Sequence, residues 1–253
     1  MVHVVFSKSL KIGLIGAALI IYAGVASAAT ITVNSVTADW QSTTLGDGTN
    51  LTISDPSKIS WGGDIGDGQS SYSVSGVDSS FTVAAGETFT LGTFVHENQP
   101  IVKPTLSVAG LLVNINIASF GVQDTFFNFT HTETRNRAKI CQFEGQDEGG
   151  NDVNRNGCAD QVEATLDLTS SNQFSIGEDV FKIEFVGFKV GETVFEKILT
   201  AEKLATEADL IGRFVQLNRN PPPPVVPTPG SGLLLLSAFG AAAYVKRRKA
   251  KAS

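Results

Sequence analysis

Basic residues are scarce over most of this chain. Its 253 residues include 19 Lys+Arg and 25 Asp+Glu, for a net charge of −6. Lys8 and Lys11 fall within residues 1–28, and Lys246, Arg247, Arg248, Lys249 and Lys251 fall within 229–253, with no acid in either segment. The stretch between them therefore holds 12 bases against all 25 acids. Binding to phosphate needs clustered cations, so this balance excludes nucleic acid as a partner. Cysteine is limited to Cys141 and Cys158, which excludes a disulfide-dense scaffold and a thiolate zinc site. No repeat with a 20–50-residue period occurs, so a solenoid or propeller is excluded. The chain also lacks a Gly-x-Ser-x-Gly elbow, a His-Glu-x-x-His pair, a phosphate loop and a dinucleotide fingerprint. The sequence accordingly points away from an enzyme and offers no catalytic residue.

What is present at the two ends reads as addressing. Lys8 and Lys11 precede an apolar run, Ile12 to Val25, followed by Ala26-Ser27-Ala28. A basic start, a short apolar centre and a small-x-small site predict a secretory signal peptide over 1–28, cut between Ala28 and Ala29. An uncut N-terminal anchor is the competing reading, and the shortness of the apolar run counts against it. At the far end, Pro221–Pro224 makes a stiff extended spacer within a linker over 219–230. That linker ends in Val226, Pro227, Thr228, Pro229 and Gly230. Residues 231–253 then supply an apolar stretch, Leu233–Val245, and the basic cluster. They predict a membrane-spanning segment whose basic end stays in the cytoplasm. The whole layout resembles the PEP-CTERM sorting class, with Thr228 where the usual Val-Pro-Glu-Pro motif has Glu. That resemblance implies an exosortase-type processing enzyme as partner. It also implies an exported protein, at the cell surface or secreted, held to the membrane by its C-terminal segment before processing.

Between the ends, β-branched and aromatic runs alternate with turns. The runs are Ile31–Thr37, Leu51–Ser54, Phe81–Ala84, Thr88–Phe94, Leu106–Ile117, Thr125–His131, Val162–Leu168, Val180–Phe188 and Thr193–Leu199. Val113, Ile115 and Ile117 alternate with Asn114 and Asn116, the pattern of a strand wet on one face. Glu202–Ile211 is the one stretch that reads as helix, with Leu204, Ala208 and Ile211 at helical spacing. The expectation is all-β: a single jelly-roll-like β-sandwich over 29–218. Phe126, Phe127 and Phe129 are expected to pack in it as core and rim, not as a ligand platform.

Several groups of residues could carry chemistry. His96 and His131 each end a predicted strand, followed by Glu97 and Asn98 in one case and Glu133 and Asn136 in the other. Brought together they could bind a metal or sugar hydroxyls. Apart, each His and Asn would satisfy loop backbone groups. Cys141 and Cys158, 17 positions apart in a chain read as exported, predict a disulfide. Asp152, Asn154, Asn156, Gly157, Asp160 and Glu163 match the spacing of a calcium loop. The competing reading is an Asn/Gly turn leading into a strand, so calcium is the only cofactor suggested.

The segment Gly92–Ile101 resembles the Gly-x-Phe-Thr-His-x-Asn-x-Pro-Ile pattern of the THxN family of PEP-CTERM proteins, related to the choice-of-anchor K domain. His96, Asn98 and Pro100 match, and Val95 stands where the pattern has Thr. Ile59-Ser60-Trp61-Gly62, Thr130–Asn136, Asn156–Asp160 and Thr200-Ala201-Glu202 are similar to further pieces of it. The resemblance implies a structural or adhesive surface protein, with extracellular polysaccharide as a candidate partner. The alternative is a carbohydrate- or calcium-binding module at the cell surface.

Overall fold

The structure, a computed structural model, describes residues 28–135, 140–143, 153–167 and 173–218. The predicted signal peptide up to Ser27, Asn136, Asp152 and everything from residue 219 onward lie outside them. The strands in chain order are β1 (Thr30–Leu45), β2 (Lys58–Trp61), β3 (Gly63–Asp64), β4 (Ser70–Ser75), β5 (Phe81–Ala84), β6 (Thr88–Asn98), β7 (Ile101–Val102) and β8 (Leu106–Ile117). They continue with β9 (Gly121–Thr132), β10 (Asp160–Leu166), β11 (Gln173–Ile176), β12 (Asp179–Val190), β13 (Thr193–Phe195), β14 (Lys197–Thr200) and β15 (Leu204–Asn218). The described body is all-β and sandwich-like. One sheet runs β14-β10-β9-β8-β1-β5, the other β11-β12-β15-β6-β4-β2, with β13 added on β12 and β3 pairing β7 apart. Every pairing is antiparallel.

Register irregularities keep long strands facing one core. In β1, Ile31 and Val33 point inward at odd positions, whereas Val36, Ala38 and Trp40 point inward at even ones. A register shift between Val33 and Ser35 makes that exchange, and a second between Trp40 and Ser42 returns Thr43 and Leu45 to the inside. One extra residue reverses every side chain after it, so each bulge restores burial where the strand's twist would lose it.

The structure overturns the helix expected over Glu202–Ile211. That segment is the turn before β15 and its first half, lying between β6 and β12. Ala208, Leu210 and Phe214 keep period 2 on the core face, while Ile211 is buried on the other face. The register shifts beside Ile211 place the extra residue in the partner strands, Leu91 of β6 and Val186 of β12, so the helical spacing of Ala208 and Ile211 comes from two buried faces of one strand. Other differences are local. Leu51–Ser54 packs on the core without joining a ladder. The expected Thr193–Leu199 strand is two strands, one in each sheet. The serine-rich Ser70–Ser75, unmarked by any apolar run, is a central strand beside β6.

Trp40, Phe94, Phe129 and Phe188 fill the middle of the sandwich, and Phe127 is buried beside them. Gly92 sits where β6 passes tightly against β4, and a Cβ there would collide with the Ser75 carbonyl. Cys141 and Cys158 form a disulfide, with Cα atoms 5.1 Å apart. The two ends of the described chain meet. Ala85 N–H donates to Ala29 O at 2.7 Å and Gly86 N–H to Phe214 O at 2.8 Å, so the start of β1 and the last turn of β15 lie side by side.

Candidate functional site

At the other end of the sandwich the interior turns polar. Tyr72 on β4 and His96 on β6 are cross-strand partners in one sheet, and His131 on β9 faces them from the other. The His96 and His131 rings lie edge to face with centroids 5.3 Å apart, roofed by the Trp61 indole, which stacks on His96 at 5.6 Å. Two hydrogen bonds cross between the sheets. Tyr72 OH and His131 Nδ1 are 2.6 Å apart, and His96 Nδ1 and Thr200 Oγ1 are 2.8 Å apart. Asn98 Nδ2 adds a bond of 2.9 Å to Thr200 O.

Acids gather on the His131 side. Residues 131 and 133 share a face of the β9 continuation, and β10 pairs with β9 so that Gln161 opposes Thr132. One step further along, Asp160 comes opposite Glu133. His131 Nε2 lies 3.2 Å from Glu133 Oε2 and 3.8 Å from Asp160 Oδ2. Asp160 Oδ1 accepts from Thr134 N–H at 2.7 Å, and the Thr134 hydroxyl donates to the carbonyl of disulfide-bonded Cys158 at 2.8 Å. Glu202, in the turn between β14 and β15, is fully buried. Its backbone carbonyl accepts from Asn156 Nδ2 at 3.1 Å, but both of its carboxyl oxygens lack a hydrogen-bond partner. Asp160 Oδ2, His96 Nε2, Asn98 Oδ1 and the Trp61 indole nitrogen also lack one.

This environment suppresses charge. Burial raises Asp160 to about 7, the Glu133 carboxylate adds to the rise, and His131 and Thr134 oppose it. Burial raises Glu133 to about 7 against the nearby Trp61 indole, which stops short of hydrogen-bond geometry. Burial, then Asp160 and Glu133, raise Glu202 to about 8. Burial holds His131 down to about 4 against the pull of Asp160, and pushes His96 well below its ordinary range with help from His131. Tyr72 is pushed well above the usual phenol range by burial and both acids. These groups sit within reach of one another and titrate as a set.

The residues singled out in the sequence divide clearly. His96, Asn98, His131 and Glu133 come together at this site. Pro100 ends β6 just beyond it, where a missing N–H is harmless. Glu97 is excluded, since adjacent residues of a strand face opposite ways; it pairs with Lys58 at 3.0 Å on the outside.

The described members of the expected calcium loop do not converge on one point, and Asp152 lies outside the described residues. Asp160 and Glu163 are three apart on β10 and so project to opposite faces, Asp160 inward and Glu163 outward to Lys197 at 2.7 Å. Asn154 is turned to Phe143 O and Ala159 N, and Asn156 to Glu202 O, so both act as loop braces. Ala29 lies beside Ala85, and the Val226–Gly230 motif is outside the described residues. Among the described residues no helix is long and apolar enough to cross a membrane, and the predicted span lies outside them.

Tyr72, Thr134, Thr200 and Glu202 were not foreseen as site residues. Thr134, Thr200 and Glu202 stood within sequence pieces quoted for their family resemblance, and those scattered pieces converge here. Tyr72 had no signal beyond being one of three tyrosines. No family model matches the chain, and no curated protein matches it at significant similarity.

Proposed function

We propose that this is an exported protein of the kind its sequence resembles, the THxN family of PEP-CTERM proteins, with a structural or adhesive role. It would work at the cell surface or in an extracellular polysaccharide matrix after an exosortase-type enzyme has handled its tail. The body is taken as one jelly-roll-like β-sandwich over residues 29–218, on the support of a single core shared by both sheets.

The observation that carries this reading is the meeting of the two chain ends at one end of the sandwich. Both address segments then attach at the same place, and the opposite end is presented outward. The disulfide supports export, because such bridges persist in oxidising compartments. Sugar binding through the histidines is not part of this reading, since His96 and His131 are buried.

The test is the intact mass of the mature protein, measured with cell fractionation in strains with and without the processing enzyme. A product starting at Ala29, shortened near Gly230 and found at the surface or in the matrix, is expected. A protein retained in the cytoplasm with residues 1–28 attached would sink the proposal. Loss of adhesion or matrix retention in a deletion strain tests the role itself.

A further inference from the structure

Glu133, Asp160 and Glu202 are three acids drawn together, and among the described residues no Lys or Arg is buried with them. Lys203, next to Glu202 in sequence, is half exposed and pairs with Asp67 at 3.0 Å. Ionised carboxylates in such a setting each cost several kcal/mol unless something compensates them. Protons are one remedy and a dication is the other. Protons alone leave the geometry unexplained: Asp160 Oδ2, both Glu202 carboxyl oxygens and His96 Nε2 stay buried without partners, and a protonated carboxyl still needs a place for its O–H.

The donor atoms of His131, Glu133 and Asp160 all lie within 4.8 Å of one another. With metal–ligand bonds of about 2.1 Å, the edges of a tetrahedron are about 3.4 Å. The observed separations of 3.2 Å and 3.8 Å from His131 Nε2 to the two carboxylates bracket that value. The second ring nitrogen of His131 is already fixed by Tyr72 OH, the outer hydrogen bond that metal-bound histidines characteristically make. A nitrogen donor beside carboxylates favours a borderline transition ion over calcium or magnesium, which prefer all-oxygen sets.

We propose that His131, Glu133 and Asp160 hold a single divalent transition-metal ion, zinc being the best match. The three ligands come from β9, the residue just after it and β10, so the ion ties these neighbouring strands together at the polar end of the sandwich. Glu202 lies in the turn that carries the chain from one sheet to the other, between β14 and β15. Glu133 retains 12% exposure of its side chain and gives the cluster its face toward solvent.

The test uses the full-length chain in detergent, stripped by a chelator, dialysed and titrated with zinc chloride. Elemental mass spectrometry is expected to find one zinc per chain. Replacement by cobalt is expected to give the visible absorption of a tetrahedral nitrogen–oxygen site. The double variant Glu133→Gln, Asp160→Asn is expected to abolish uptake, and Glu163→Gln to leave it unchanged. Tyr72→Phe keeps the ring packing and removes only the outer bond, so it is expected to weaken zinc binding about 10–100-fold. A folded wild-type chain that takes up no zinc, or uptake that survives the double variant, overturns the proposal. Should that variant not fold, unchanged affinity in Tyr72→Phe overturns it as well.

Discussion

The two ends of this sandwich are built from the same strands and held by opposite means. β6 carries Phe89 near one end and His96 near the other, separated by about 24 Å at a rise of about 3.4 Å per residue. Around Phe89 the core is aromatic hydrocarbon. Phe214 stacks on it at 4.5 Å, Phe81 lies at 5.6 Å, and Phe174 lies 5.5 Å from both Phe181 and Phe214. Around His96 the same two sheets are joined by directional bonds from Tyr72, Thr200 and Asn98, beside acids that oppose their own ionisation. Stability at the first end comes from area and fit, which are indifferent to pH and ions. At the second end it depends on which protons or cations are present. A single cooperative core can thus contain one end that is constant and one that responds to its surroundings.

Truncation at the hydrocarbon end has the largest expected effect. Phe214→Ala, at a fully buried position, is expected to cost about 3–5 kcal/mol in urea denaturation. That cost is expected to be the same with zinc or chelator; a cost that changes with metal would erase the contrast between the ends. Next comes the disulfide. Cys141→Ser with Cys158→Ser is expected to lose about 3 kcal/mol by loop entropy. It also frees the carbonyl that Thr134 uses to steady Asp160, so zinc affinity is expected to fall in the same variant.

A third prediction concerns pH in chelator. The three acids have folded values raised to about 7, 7 and 8, so each holds a proton in the folded state that it has lost in the unfolded chain. Their contribution is fully present below the ordinary carboxylate range and is lost as pH rises through about 7 to 8. His96 and His131 have lowered values, so their contribution has the opposite sign and is lost as pH falls below about 6.5, through about 4 in the case of His131. Metal-free protein is therefore expected to lose stability as pH rises from about 5 to about 8, most steeply above about 6.5 where the histidines no longer oppose the acids, at up to about 1.4 kcal/mol per pH unit for each proton released. Glu202→Gln is expected to flatten that decline. Excess zinc is expected to reverse it, since metal binding favours deprotonated ligands. The smallest expected effect is at the surface: Lys197→Met breaks a pair with Glu163 whose partners are 46% and 38% exposed. It is expected to cost less than about 1 kcal/mol and to vanish in high salt.

How much of this was legible in the sequence follows the same division. Period-2 alternation at Val113–Ile117 and Phe181–Phe185 announced strands, and Phe127 and Phe129 announced core. Where a central strand buries residues on both faces, as β15 does with Leu210 and Ile211, the local pattern imitates a helix and only the neighbouring strands reveal the truth. His96, Asn98, His131 and Glu133 were visible as strand-end polar residues. Their meeting was not visible, because it depends on long-range pairing across the sandwich. Asp160 was read as an oxygen donor of a calcium loop, and the fold gives it other neighbours. Loop spacing grouped it with Glu163, while strand pairing gives it to Glu133 and His131.

The position of β15 has a mechanical meaning. It lies in the interior of its sheet, paired with β6 over Leu204–Arg213 and with β12 over Asp209–Asn218, and the chain continues from its last residue toward the proline-rich segment. A pull delivered through that segment runs along the strand, so it loads both ladders in shear and must break many bonds together. The N-terminal strand β1 is likewise interior, between β8 and β5. A body tethered at this end would transmit tension into its most heavily bonded strands before any edge strand could peel.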